Sequence, residues 1–273
     1  MGIIGLIAGQ GDLPKEVIAK CLEMKTPVYV LAYDSQTDPT ILTNVPHDWI
    51  KLGQVGKAID LLKKNNVTKI ILAGKIDRPA SLGSLMPDLK GAALFTKLLK
   101  KQSGDDTLFR IIVDFLENEG FEILSADEIL GNESLFPAGV LGKHKPDTQG
   151  QKDITRGIEI AKALGLVDVG QAVVVQNGVT LGVEAVEGTD TLITRTQDYK
   201  LDEPGGVLIK ILKPHQETRV DRSVIGPQTI RQAAKAGLRG IAAQENAVML
   251  LNKNEAVKLA DDLGLFLIGV CVE

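Results

Sequence analysis

The alternation of short apolar runs with helical stripes up to Ala73 restricts the fold more than any other feature of the chain. Residues 3–8 are apolar on both alternating faces, as in a strand covered by helices on each side. The turn Gly9-Gln10-Gly11-Asp12 follows, and residues 13–24 then place apolar side chains at 13, 17, 18, 21 and 22, a helical spacing. A second strand at 28–32 leads into a polar excursion, a helix at 55–65 and a third strand at 69–73. The order β-α-β-α-β predicts a parallel, doubly wound, Rossmann-like sheet with right-handed crossovers.

Farther along, the spacing predicts helices over 88–101 and 107–118 and a strand at 121–124. Residues 131–150 hold Pro137 and Pro146 without sustained periodicity, which reads as an inter-domain linker. Beyond it, the apolar run 172–176, Asn177-Gly178 and the run 180–186 make a hairpin signal, so an antiparallel component is expected. Thr189 or Asp190 is placed to cap a short helix, 207–212 reads as a buried strand, and 227–236 as a helix opened by Pro227. Strands around 240–243, 248–251 and 266–270 close a mixed α/β domain. With 273 residues, the chain accommodates two domains, read as 1–131 and 151–273 joined by 132–150.

A net charge of −4 with no basic cluster argues against a nucleic-acid partner or a polybasic membrane anchor. The longest late apolar stretch, 263–272, is far too short to span a bilayer. Cys21 and Cys271 lie at opposite ends of the chain and read as buried free thiols, as in a reducing cytoplasm. Only ten aromatic side chains (six Phe, three Tyr, one Trp) leave little for base stacking and direct attention to phosphate contacts.

At the first turn, glycines without a Cβ allow backbone N–H groups at a helix start to approach a phosphate. Gly9, Gly11 and Asp12 are the candidates, with a plain tight turn as the alternative. Pro14 stands where a dinucleotide fingerprint would have its third glycine. Lys75, Asp77 and Arg78 follow the third strand and belong at the carboxyl edge of the sheet, where cations suit an anionic ligand; a solvated loop is the alternative. Asp105 and Asp106 either cap the next helix or serve the site, and Asp106 is spaced to pair with Arg110. The longest polar connection, 213–222, carries His215, Glu217, Arg219, Asp221 and Arg222, and reads either as a charged surface loop or as a carboxylate site flanked by guanidiniums. Glu184, Glu187 and Asp190, with Thr189 among them, are oxygen ligands suited to Mg²⁺ or are solvated acids that cap a helix. The stripe Leu94, Phe95, Leu98 and Leu99, with Leu85 and Met86 before it, reads as a core face or as the wall of an apolar groove.

Six segments occur in order: Gly5-Leu-Ile-Ala-Gly-Gln-Gly-Asp-Leu-Pro14, Gly74-Lys-Ile-Asp-Arg-Pro79, Gly104-Asp-Asp-Thr-Leu-Phe-Arg110, Gly182-Val-Glu-Ala-Val-Glu-Gly-Thr-Asp190, Arg219-Val-Asp-Arg-Ser-Val-Ile-Gly226 and Ala236-Gly-Leu-Arg-Gly-Ile-Ala242. Together they resemble the motif set of the UDP-2,3-diacylglucosamine pyrophosphatases of the LpxI type, over almost the whole chain.

The resemblance implies a two-domain enzyme of lipid A synthesis. It would hydrolyse UDP-2,3-diacylglucosamine, a lipid-linked UDP-sugar, to UMP and 2,3-diacylglucosamine 1-phosphate with Mg²⁺ or another divalent cation. The family's essential aspartate carries over to Asp221. Asp190 and Glu187 are expected to join it at the metal, while Gly9, Gly11, Asp12, Lys75, Arg78, Asp105, Arg110, Thr189 and Arg219 are expected to contact substrate. A diacyl substrate further implies peripheral contact with the inner membrane leaflet, and a homo-oligomer is compatible with the sequence. A nicotinamide-dependent oxidoreductase and a non-catalytic nucleotide-sugar sensor are the rival classes.

Overall fold

The computed structural model describes residues 2–77, 87–100, 105–201, 203 and 205–272, with the side chains of residues 99, 100, 105 and 106 left out. Arg78, Leu85 and Met86, and the side chains of Leu99, Asp105 and Asp106, therefore lie outside the described residues. The chain divides into two compact units. The first is Met1–Leu130 with Glu217–Asp221, and the second is Gly131–Gln216 with Arg222–Glu273.

The first unit is the doubly wound sheet that the alternation predicted. Its elements run β1 (Ile3–Ala8), α1 (Asp12–Glu23), β2 (Val28–Tyr33), β3 (His47–Ile50), α2 (Val55–Lys64), β4 (Val67–Ala73), α3 (Leu89–Lys100), α4 (Asp105–Asn118), β5 (Glu122–Leu124) and α5 (Ala126–Leu130). All five strands are parallel, in the order β3-β2-β1-β4-β5. One face buries Leu31, Ile50 and Ile70 against Ile59 and Leu62 of α2 and Val113 and Leu116 of α4. Val220, from the far segment 217–221, packs against that same core. On α1, Pro14, Val17, Ile18 and Cys21 are buried, which accounts for the helical stripe read there. Leu94, Phe95 and Leu98 on α3 are half-buried, and α3 packs beside α2 and α4.

The second unit comprises β6 (Gly139–Leu141), α6 (Thr148–Leu166), β7 (Ala172–Gln176), β8 (Val179–Val183), α7 (Thr189–Thr196), β9 (Val207–Lys210), β10 (Val224–Ile225), α8 (Pro227–Lys235), β11 (Gly240–Gln244), β12 (Met249–Leu250), α9 (Lys253–Asp262) and β13 (Phe266–Val270). Six strands form a mixed sheet in the order β6-β13-β11-β9-β7-β8, with β9, β11 and β13 parallel and the flanking pairs antiparallel. A parallel β10-β12 pair makes a second, small sheet.

Strand alternation divides the core in two. Val173, Val175 and Ile209 face Ile154 and Ala161 of α6, while Val174, Leu208 and Ile241 face Leu192 of α7, Ile230 of α8 and Ala256 of α9. A Cβ on Gly157 would meet Ile209 Cδ1 at 2.4 Å, so this glycine lets α6 lie close on the sheet. The hairpin turn is as expected, with Asn177 and Gly178 at φ 52° and 80°, the left-handed pair a tight turn needs.

Three readings change. The stretch 132–150 groups with the second unit rather than standing between two domains: it supplies β6, which pairs with β13, and its Phe136 is fully buried in the core. Cys21 and Cys271 are both free, but Cys271 is exposed. The cap of α7 is Gly188, which has no side chain to make a capping bond, and the Thr189 hydroxyl donates to Glu184 instead. None of the described helices is long and apolar enough to cross a membrane.

Candidate functional site

In the first unit, the loops after β1 and β4 are knitted together at the carboxyl edge of the sheet. Gly9 N–H donates to the Ala73 carbonyl at 2.8 Å, and Gln10 and Lys75 exchange both backbone hydrogen bonds, at 2.8 and 3.2 Å. The two glycines of the turn therefore do different things. A Cβ on Gly9 would lie 2.5 Å from the Lys75 carbonyl oxygen, so Gly9 is there for loop packing. Gly11, the residue preceding α1, has φ 91° and open space where a Cβ would stand, leaving the start of α1 approachable. Gly9→Ala is expected to cost about 1–3 kcal/mol through forced backbone displacement, read as a lower urea midpoint. An unchanged midpoint would show that the two loops yield freely.

Asp12 is exposed in the first turn of α1. Lys75 is 71% exposed and pairs with Asp77 at 3.2 Å. Asp77 also accepts from Gln10 Nε2 at 2.8 Å; these contacts, the amide first and the ammonium next, hold its carboxyl below the usual range. Gln36, from the turn after β2, accepts from both Gln10 Nε2 and the Asp77 N–H. The sequence reading missed Gln10 and Gln36 as site residues. Gln10, enclosed by two motif glycines, was the available signal; Gln36 had none.

Segment 217–221 brings an acid and base array to this unit. Arg219 grips Glu217 with two hydrogen bonds, Nε to Oε1 and Nη2 to Oε2, both 2.9 Å, and donates from Nη1 to Glu117 at 2.8 Å. Hydrogen bonding to Arg219 keeps Glu217 below its ordinary pKa, with the exposed Arg110 contributing. Arg219, read from the sequence as a substrate contact, is thus held by two carboxylates and orders this segment. Asp221 is half-buried, and its N–H closes a turn onto the Glu217 carbonyl at 2.9 Å.

In the second unit, a buried polar chain underlies the motif residues. Glu184, 6% exposed, accepts from the Thr189 hydroxyl at 2.6 Å, and Thr189 in turn accepts from Lys210 Nζ at 2.9 Å. Lys210, 7% exposed, also donates to the Val224 carbonyl at 3.0 Å, three residues beyond Asp221. Ser223 is buried and hydrogen-bonds Gln171 at 2.6 Å. Glu184 and Thr189 are thus structural partners within this unit. Asp190 is exposed on the first turn of α7, whereas Glu187 is ion-paired with Arg195 at 2.9 Å. Among the described residues, no group of three or more His, Cys, Asp or Glu side chains is arranged to hold a metal ion.

The architecture and these polar clusters define a two-unit α/β protein with a doubly wound first unit, polar loops at its carboxyl edge and an acid-bearing return segment. Family models describe both parts: the LpxI N-terminal domain matches residues 3–132, and the LpxI C-terminal domain matches 137–268. The chain belongs to the LpxI family. It is 38% identical to UDP-2,3-diacylglucosamine pyrophosphatase LpxI of Caulobacter vibrioides, over 98% of this chain and 97% of the relative. A solved structure of CobK precorrin-6A reductase aligns with 100% of this chain and 89% of its own at 12% identity, with a TM-score of 0.36.

Proposed function

We propose that this protein hydrolyses the pyrophosphate of UDP-2,3-diacylglucosamine to UMP and 2,3-diacylglucosamine 1-phosphate, a step of lipid A synthesis. The near full-length identity to a relative named for that activity carries the reading. In support of it, the first unit offers cations for phosphate oxygens in Lys75 and Arg110, an approachable helix start at Gly11, and a carboxylate at Asp221.

Hydrolysis needs no protein nucleophile. Water adds its oxygen to the phosphorus nearer the sugar, the bond from that phosphorus to the bridging oxygen breaks, and the electron pair leaves on UMP. Asp221 orients the attacking water and takes up the proton that the water loses as its oxygen bonds to phosphorus, while Lys75 and Arg110 offset charge on the phosphate oxygens.

The divalent cation is part of the proposal. Of the three acids expected at the metal, Asp221 belongs to the first unit and Glu187 and Asp190 to the second, where Glu187 is ion-paired with Arg195. Mg²⁺ generally takes only one or two protein carboxylates alongside substrate phosphates, and Asp221 is the acid that would hold it here. When bound, such an ion withdraws charge from the phosphoryl group under attack.

The deciding measurement is UMP release from the lipid-linked substrate with and without a chelator. The expected result is loss of release on chelation and recovery on adding Mg²⁺. Release indifferent to the chelator would remove the metal from the scheme, and no release under any condition would remove the reaction.

A further inference from the structure

Three loops meet at the carboxyl edge of the first unit's sheet, and their side-chain amides form a chain whose hydrogen-bond directions are fixed. Gln36 follows β2, Gln10 follows β1 and Asp77 follows β4, three strands that lie side by side. The Asp77 backbone N–H can only donate, so the Gln36 atom it reaches at 3.1 Å must be the carbonyl oxygen Oε1. The Asp77 carboxylate, being ionised, can only accept, so the Gln10 atom at 2.8 Å must be the amide nitrogen Nε2. Gln10 Nε2 donates its other proton to Gln36 Oε1 at 2.6 Å. Both amide flips are thereby determined by neighbours that leave no choice.

What this chain leaves over is one acceptor, Gln10 Oε1, and one donor, Gln36 Nε2, neither with a partner among the described residues. Both side chains are half-buried. They also stand where the strand order reverses, between β1 with its β2 neighbour and β4, which is where open parallel sheets bind ligands.

We propose that Gln10 and Gln36 form a uracil subsite, in which the uracil N3–H donates to Gln10 Oε1 and the adjacent O4 accepts from Gln36 Nε2. Cytosine presents the reverse pattern, a lone pair at N3 and an amino group at C4, so both contacts turn repulsive. The subsite rests on the reading of the substrate as a uridine diphosphate conjugate, and goes beyond it by naming the side chains that select the base. Asp77 is then a positioning residue, because its carboxylate fixes which way Gln10 faces.

The test is calorimetric titration of the full chain with UMP, CMP and ribose 5-phosphate, in the wild type, Gln36→Glu and Gln36→Leu, alongside UMP release from the lipid-linked substrate. Gln36→Glu keeps the inward acceptor and replaces only the free donor; Gln36→Leu removes the amide without adding charge. The wild type is expected to prefer UMP to CMP by about tenfold or more. Both variants are expected to lose that preference, with ribose 5-phosphate affinity within about twofold of wild type for Gln36→Leu. Equal UMP and CMP affinities in the wild type, no UMP binding at millimolar concentration, or a preference that survives both substitutions would overturn the subsite. Should the preference be absent while UMP is still released, the subsite falls and the hydrolase reading stands; a preference without release leaves the subsite standing and removes the hydrolase.

Discussion

Asp221→Ala is expected to lower the rate of UMP release by about 10²–10⁴-fold, the range for removing a group that handles a proton in the transition state. KM is expected to stay within a few-fold, because the cations and the base-selecting amides of the first unit are untouched. The segment is expected to keep its fold in this variant: the local turn is closed by the Asp221 backbone N–H and the Glu217 carbonyl, and Val220 and Arg219 anchor it independently. The split between constants is the informative readout. A rise in KM at constant kcat would make Asp221 a binding residue, and unchanged turnover would remove it from the chemistry.

Asp153→Ala is expected to destabilise the second unit strongly. Asp153 is 1% exposed on α6, and its carboxylate accepts the N–H groups of Asn177 and Gly178 at 3.0 and 2.7 Å and the Gln149 amide at 3.0 Å. No cation pairs with it among the described residues, so these donors satisfy the buried charge and tie the helix to the hairpin turn. Hydrogen bonds to a charged group contribute about 1.5–3 kcal/mol each. Since the freed turn N–H groups can still find water, a net loss of about 2–4 kcal/mol is expected, measured as a lower urea midpoint with an unchanged slope. A loss under about 1 kcal/mol would mean that the turn holds its geometry without the helix.

The parallel sheet was legible because its strands are buried on both faces and its helices carry clean stripes. Elements that escaped sequence reading share a different physics. β3 is an edge strand beginning with the exposed His47 and Asp48, so it needs no apolar pattern. β6 has three residues on the rim of its sheet and exists only through pairing with β13. α6 contains Gly150, Gly157 and Gly165, which lower helix propensity, yet Gly157 is needed for contact with Ile209. In the site, Lys75 was legible as a rim cation because it follows a strand. The partnership of Gln10, Gln36 and Asp77 joins positions 26 and 67 residues apart, and only the sheet order brings them together.

Segment 217–221 also bears on how the protein is made. The first unit takes Val220 into its core and gives Glu117 as a partner to Arg219, although both residues are encoded after β9 of the second unit. On the ribosome, the amino-terminal sheet therefore emerges early but receives its last piece only after much of the second unit has been synthesised. A gene fragment ending at residue 130 omits that piece, so in biosynthesis the two units are interleaved rather than consecutive.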